Sequence, residues 1–223
     1  MLVRSAQRGF TIIELMVTIT IFAILLMLGV PSFSNLLQNH KLSSAAQGYL
    51  AGLQSARSEA IRLNKRVEFV LSSVQLTGDV SADAPAASPN VNGPHWIIRY
   101  LSDDPTPVYK GVESKSAQDG SGRTGATSVV VLGSVAGDAP ATTVYSGTIA
   151  FDGFGRPVDN SAAPAGNGAF ELNVSNPPAG TCAADGGTMR CMRIRVRPGG
   201  QLQLCDPAAA TDGSDNRGCQ ATP

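Results

Sequence analysis

Hydrophobic positions change their period twice along this chain. From Phe10 to Phe33 almost every residue is apolar, interrupted by Glu14 and a few hydroxyls. At ~1.5 Å rise per residue, a helix over that run crosses a bilayer core of roughly 30 Å. Past Pro31 the pattern becomes periodic: Leu42, Ala46, Tyr49, Leu53, Ala56, Ala60 and Leu63 recur at alternating steps of four and three, the stripe of an amphipathic helix. Lys41, Ser44, Gln54, Arg57, Ser58 and Arg62 occupy its polar side. Together they predict one helix from about Phe10 to about Asn64, roughly 80 Å long, with a bend near Gly29-Val30-Pro31.

After residue 66 the runs shorten to strand length: Val67 to Val74, Trp96 to Leu101, Ser128 to Leu132, Thr148 to Phe151, Phe170 to Val174, Met192 to Arg197 and Gln201 to Leu204. Loops rich in Gly, Pro, Ser, Asp and Ala separate them, and two, about 79 to 94 and 155 to 168, are long enough to be mobile. One helix followed by many strands predicts an α+β fold, with an antiparallel sheet closed over the amphipathic half of the helix.

Charge gives the chain a direction. Residues 1–9 hold Arg4 and Arg8 and no acid, which places the N-terminus in the cytoplasm and everything after about residue 34 outside the inner membrane. The four cysteines, Cys182, Cys191, Cys205 and Cys219, include no CxxC pair and have no histidine at ligand spacing, so two disulfides in an oxidising compartment are expected rather than zinc. Over the 223 residues, 17 Lys and Arg balance 17 Asp and Glu, a formal net charge of +0 that argues against a generic nucleic-acid binder.

A secretory signal peptide would need a small-residue cleavage site after its apolar core, and Gly29-Val30-Pro31-Ser32-Phe33 is a poor one. A plain anchor has no use for Glu14, since an acid within a span costs about 2.5–3.5 kcal/mol. Arg8-Gly9-Phe10-Thr11-Ile12-Ile13-Glu14-Leu15 resembles the processing site of type IV prepilins and type II secretion pseudopilins. The resemblance implies a leader, 1–9, removed by prepilin peptidase after Gly9, and N-methylation of the new terminal Phe10. It also gives Glu14 an assembly role, neutralising the Phe10 amine of a neighbouring subunit. The implied organisation is a transmembrane and filament-core helix over 10–33, an amphipathic helix over 34–66, and a periplasmic β-rich head over 67–223.

The stretch Thr148 to Pro157, reading TIAFDGFGRP, and the later Arg193 to Arg197, Gly-Gly turn and Leu202 to Cys205 are similar to the H-type pseudopilin and minor-pilin group. What that implies is a single-pass inner-membrane subunit that helps start or cap a type IV pilus or a type II secretion pseudopilus. Its partners would be other minor pilins or pseudopilins, the major pilin, prepilin peptidase and the inner-membrane assembly platform. No cofactor is expected. Between about 75 and 145 no resemblance is found.

Several chemical motifs fail on context. Gly120, Gly122 and Gly125 form a GxGxxG, but Thr127 to Val131 after it reads as a strand, where a dinucleotide site needs a helix N-terminus. Asp212 to Gly218 resembles a calcium loop but lacks the terminal Glu and has Arg217 where the turn glycine belongs. His40 and His95 are too few and too separate for a triad or a metal cluster. No enzyme is indicated.

One constellation merits a hypothesis. Arg193, Arg195 and Arg197 alternate with Met192, Ile194 and Val196, so on a strand the guanidiniums line one face at intervals of about 6.6 Å, close to the spacing of successive phosphates. The alternative to a structural role is therefore DNA capture by this strand, weighed against pairing of the arginines with the acidic tail (Asp206, Asp212, Asp215) or with another subunit. A hairpin at Pro198-Gly199-Gly200 would set Arg193 opposite Cys205 and leave Cys191 diagonal to it, about 7–8 Å away. That favours Cys182–Cys191 with Cys205–Cys219. A bulge would instead allow Cys191–Cys205 with Cys182–Cys219.

Overall fold

The computed structural model describes residues 11–116, 130–135, 146–158, 170–210 and 214–219, leaving aside the side chains of 28–32 and 130–135. Helix α1 runs Ile12–Leu63. Two compact units divide it, one ending at Leu37 and one beginning at Gln38.

In the first unit the described side chains from Ile12 to Met27 are all exposed, Phe22 by 62% and Met27 by 82%. Among the described residues no helix is long and apolar enough to cross a membrane. The run Ile12–Met27 covers about 24 Å. The span expected over 10–33 also takes in Phe10, which lies outside the described residues, and residues 28–32, which continue α1 but whose side chains are left aside, so the packing around the expected bend at 29–31 is not described.

In the second unit the periodic stripe is the core. Leu42, Ala46, Leu53, Ala56 and Ala60 are fully buried and Tyr49 nearly so, with Leu63 packed at their end. Two antiparallel sheets share this stripe, where one was expected. The first has order β3-β2-β1-β5-β6, from β1 (Val67–Ser72), β2 (His95–Leu101), β3 (Tyr109–Lys115), β5 (Thr148–Phe151) and β6 (Pro157–Val158). The second has order β4-β7-β8-β9, from β4 (Val130–Val135), β7 (Phe170–Ser175), β8 (Met192–Val196) and β9 (Leu202–Cys205). Val67, Phe69, Leu71, Trp96, Ile98, Ile149 and Phe151 from the first sheet meet Leu172, Val174, Ile194 and Val196 from the second in one cluster with the helix. Small residues on α1 make the approach close. A Cβ built on Gly52 would stand 2.8 Å from the Phe69 ring and 2.9 Å from Trp96.

The two sheets also touch through their turns. Gly155, between β5 and β6, and Gly200, between β8 and β9, both have φ in the left-handed region, 73° and 80°. A Cβ on Gly200 would lie 1.9 Å from the Gly155 carbonyl oxygen, and that same oxygen accepts a hydrogen bond from Arg57 Nε at 3.0 Å. Helix and both hairpins therefore meet at one point that tolerates no side chain on Gly200.

The segment expected as a mobile loop, 79–94, holds helix α2 (Val80–Ala86). It is short and contains Pro85, so propensity does not explain it. Polar anchors do. Asp79 caps its start by accepting from Ser81 N, and Arg99 Nη1 donates to the Ala84 and Ala87 carbonyls at its end, at 3.0 and 2.9 Å. Arg99 is itself buried, paired with Glu68 at 3.2 Å and stacked 3.8 Å over the Tyr109 ring. Beneath α2, Val70 and Ile97 from the outer face of the first sheet pack with Leu76, Ala84 and Ala87 as a second cluster. Strand β3 was absent from the expected elements because Tyr-Lys-Gly-Val-Glu-Ser-Lys has neither alternation nor an apolar run.

Asp83 fastens this outer layer. Its buried carboxylate accepts from Thr77 N, Thr77 Oγ1, Gly78 N and Ser114 Oγ at 2.8–3.0 Å. Burial alone would raise its pKa, but these hydrogen bonds outweigh it and hold the carboxyl below its ordinary range. A pKa lower folded than unfolded contributes stability that is complete above the unfolded value, about 3.9, and is lost as pH falls from there through the lower folded value. Asp83→Asn is expected to cost about 1–3 kcal/mol at pH 7, because an amide cannot accept all four bonds. In denaturant unfolding followed from pH 7 down to pH 3, the difference from wild type should shrink; a constant difference would mean that the carboxylate charge contributes nothing.

Candidate functional site

The assembly residues expected from the sequence lie at the start of α1. Gly9 and Phe10 fall outside the described residues. Glu14 sits in the first turn, and its N–H donates to Thr11 Oγ1 at 3.3 Å. Thr11-Ile12-Ile13-Glu14 thus has the spacing of a capping box, a local signal the sequence reading passed over. Thr18 and Thr20 return their hydroxyls to the Leu15 and Val17 carbonyls at 2.9 and 2.8 Å. Between Ile12 and Met27 that leaves Glu14 as the one polar side chain with no hydrogen bond of its own among the described residues. In apolar surroundings such a carboxylate needs a cationic partner from outside the helix.

The arginine strand lies on the outer face of the second sheet. The pairing of β7 with β8 sets Glu171 opposite Arg195 and Asn173 opposite Arg193. Arg195 Nε meets Glu171 Oε1 at 2.6 Å, and Arg193, one diagonal away, reaches Glu171 Oε2 at 3.4 Å and Asn173 Oδ1 at 2.6 Å. Arg197 follows the end of β8 and donates to Gln203 Oε1 at 2.9 Å. The acidic tail takes other cations. Asp206 pairs with Arg190 at 2.8 Å, and Arg217 holds Asp215 by hydrogen bonds that lower its pKa to about 2. Among the described residues the carboxylate paired with Arg193 and Arg195 is therefore Glu171, and Asp212 of the tail lies outside them. Phe170-Glu171-Leu172-Asn173-Val174 alternates as regularly as β8 does, so the signal for Glu171 was present, but a strand's neighbour is not written in its own residues.

The tail still crosses this face through its backbone. The structure pairs Cys182 with Cys191 and Cys205 with Cys219, and Arg193 stands opposite Cys205 in the β8–β9 register. The second bond, with the bridge between Asp206 and Gly218, brings the Cys219 carbonyl within 3.3 Å of Arg195 Nη1. The first bond closes the turn after β7, which is tied to α1 where Asn176 Nδ2 donates to Gln38 Oε1 and Arg190 N donates to Asn39 Oδ1. His40 is exposed, and His95 is buried on β2 beside Ser116, its pKa lowered by burial; they form no joint site. Gly120, Gly122, Gly125, Asp212 and most of the expected 155–168 loop lie outside the described residues.

A helix whose N-terminal stretch is apolar and whose later half is the core of an α+β head defines the pilin class of subunit. The sequence profile of the prokaryotic N-terminal methylation motif matches residues 4–30, and that of type II transport protein GspH matches residues 45–200. The chain belongs to the GspH family, which makes it a minor pilin or pseudopilin of the type IV pilus and type II secretion group, a structural subunit and not an enzyme. Among solved structures it is similar to the type IV minor pilin FimU of Pseudomonas aeruginosa, with 18% identity over 78% of this chain and 94% of that one, TM-score 0.41. It is also similar to the minor pseudopilin EpsH of the Vibrio cholerae type 2 secretion system, with 12% identity over 74% and 95%, TM-score 0.40. No curated protein matches the chain.

If Glu171 restrains the arginine face, Glu171→Gln should raise the retention of the full-length, detergent-solubilised protein on duplex DNA at low salt. That gain should disappear as salt rises, because phosphate contacts release counterions. Arg193, Arg195 and Arg197 changed together to Gln should abolish it. Equal retention of wild type and Glu171→Gln would show that this carboxylate does not govern the face.

Proposed function

We propose that this chain enters the inner membrane as a single-pass precursor with its N-terminus cytoplasmic and its head periplasmic. Prepilin peptidase removes residues 1–9, and the mature subunit helps start or cap a type IV pilus or type II secretion pseudopilus. The observation that carries this reading is the union in one chain of an N-terminal methylation motif over 4–30 with a GspH domain over 45–200. The leader is basic and short, and the apolar helix begins immediately after the proposed cleavage bond between Gly9 and Phe10.

Two physical features support assembly through α1. The described side chains from Ile12 to Met27 are largely apolar and exposed, a surface suited to lipid or to other helices. Glu14 on that surface is suited to the N-terminal amine of a neighbouring subunit, since two charges that are each costly in hydrocarbon become tolerable together. The partners are accordingly other minor subunits, the major pilin, the peptidase and the inner-membrane assembly platform. DNA capture by the arginine strand remains the alternative, and it would have to displace Glu171 from Arg193 and Arg195.

Intact-mass measurement of the membrane-derived protein should give a mature chain beginning at Phe10, and the full precursor when prepilin peptidase is deleted. A chain beginning at Met1 or near Ser34 in wild-type cells would refute the processing. Glu14→Ala should leave membrane insertion unchanged while strongly reducing cross-linking to other pilin-type subunits. Undiminished cross-linking would remove the pairing role.

A further inference from the structure

The start of α1 is set by one side chain rather than by the apolar run. Ile12 is the first helical residue, and Thr11 stands just outside the helix while its carbonyl already accepts from Leu15 N at 3.2 Å. The Thr11 hydroxyl accepts from Glu14 N, the third helical amide, at 3.3 Å. A residue that gives its carbonyl to the first helical bond and its side-chain oxygen to the third amide is an N-cap. This cap engages the backbone of Glu14 and not its carboxylate. Upstream, the next residue with a preference for the cap position is Gly9, and Gly ranks about level with Thr there. A helix capped at Gly9 would wind Phe10 and Thr11 into its first turn and begin at the Gly9–Phe10 bond, whereas one capped at Thr11 begins clear of it.

We propose that Thr11 is a positioning residue for processing: by capping α1 it keeps the Gly9–Phe10 bond out of the helix, so that the peptidase can take the backbone there in extended form. This rests on the reading above that the precursor is cut after Gly9. Within a helix the backbone N–H and C=O groups are bonded to one another, and cleavage of chains concentrates where they are not. At the edge of a membrane an uncapped start leaves the first amides unpaired, which favours winding more of the chain into helix. The Thr11 hydroxyl satisfies one of those amides and removes that incentive. Its β-branched side chain is also a weaker helix former than Ala, so it opposes extension through its own position as well as closing the helix after it. Phe10, Ile12 and Ile13 supply no such stop, because apolar burial is served at whichever of them the helix begins.

The test follows the full-length precursor in cells that carry its peptidase, with cleavage of the membrane-inserted chain timed by pulse–chase and the cut located by intact mass. Thr11→Ala and Thr11→Val, which remove the accepting oxygen, should slow cleavage roughly three- to tenfold, the change in helix-start population that a lost cap brings. Thr11→Ser and Thr11→Asn, which keep an acceptor while changing the size of the side chain, should cleave within about twofold of the wild-type rate. The second measurement reads the helix boundary itself, from the backbone carbon chemical shifts of Phe10 in the uncleaved precursor, purified in detergent from cells lacking the peptidase. They should be non-helical in the wild type and move towards helical values in Thr11→Ala. Equal rates for all five chains, slowing by Ser and Asn as strong as by Ala and Val, helical Phe10 shifts in the wild type, or shifts that Thr11→Ala leaves unmoved each overturn the proposal while the cut after Gly9 stands. Absence of that cut in the wild-type chain overturns the processing reading itself, and the role of Thr11 with it.

Discussion

Everything in the head depends on the close contact between one narrow stripe of helix α1 and two sheets at once. Leu42, Leu53 and Tyr49 supply bulk, and Ala46, Gly52, Ala56 and Ala60 supply nearness. At Gly52 the rings of Phe69 and Trp96 occupy the space a side chain would fill, their centroids 5.3 Å apart. Interiors are packed as densely as organic crystals, so a methyl group at that position has to move an aromatic ring. Sharing one stripe is also why the β-rich region splits. Each sheet can bury one face against the helix only by leaving the other strands to its own side.

The second constraint is steric and polar together. Gly155 and Gly200 let two hairpins touch without side chains between them, and Arg57 reaches out of the helix to bind the carbonyl at the contact. The motif stretches that resemble the minor-pilin group, TIAFDGFGRP and the later Gly-Gly turn, thereby acquire a physical reason. Gly155 and Gly200 occupy a point where turns of the two sheets meet the helix. Arg57 thus ties the helix to the turn between β5 and β6 through its Nε–H.

Away from the core, position is set by single buried polar groups. Asp83 and Arg99 hold α2 on the outer face of the first sheet, a segment whose sequence would not form a helix alone. Glu171 does the same for the arginines of β8. In a chain of zero net charge, these partners set positive and negative groups side by side, as Glu171 does for Arg193 and Arg195.

The sequence by itself determined what depends on period and on strict local pattern. The apolar run and the four-three stripe are readable in one dimension, because side-chain direction on a helix repeats with the backbone, and so are the basic residues that precede Glu14. The alternating strand Phe170–Ser175 was legible for the same reason and Thr148–Phe151 as a short apolar run, and the hairpin expected at Pro198-Gly199-Gly200 narrowed the cysteine pairing to two schemes. Only the tertiary structure decided the rest. β3 and α2 have no periodic signal and exist through Asp83, Arg99 and the sheet edge they cover. The division into two sheets follows from which strands pair, and the fate of the arginine strand from a carboxylate on its neighbour. The bond from Arg57 to the Gly155 carbonyl joins residues 98 positions apart, whose meeting depends on chain topology, which no local pattern encodes.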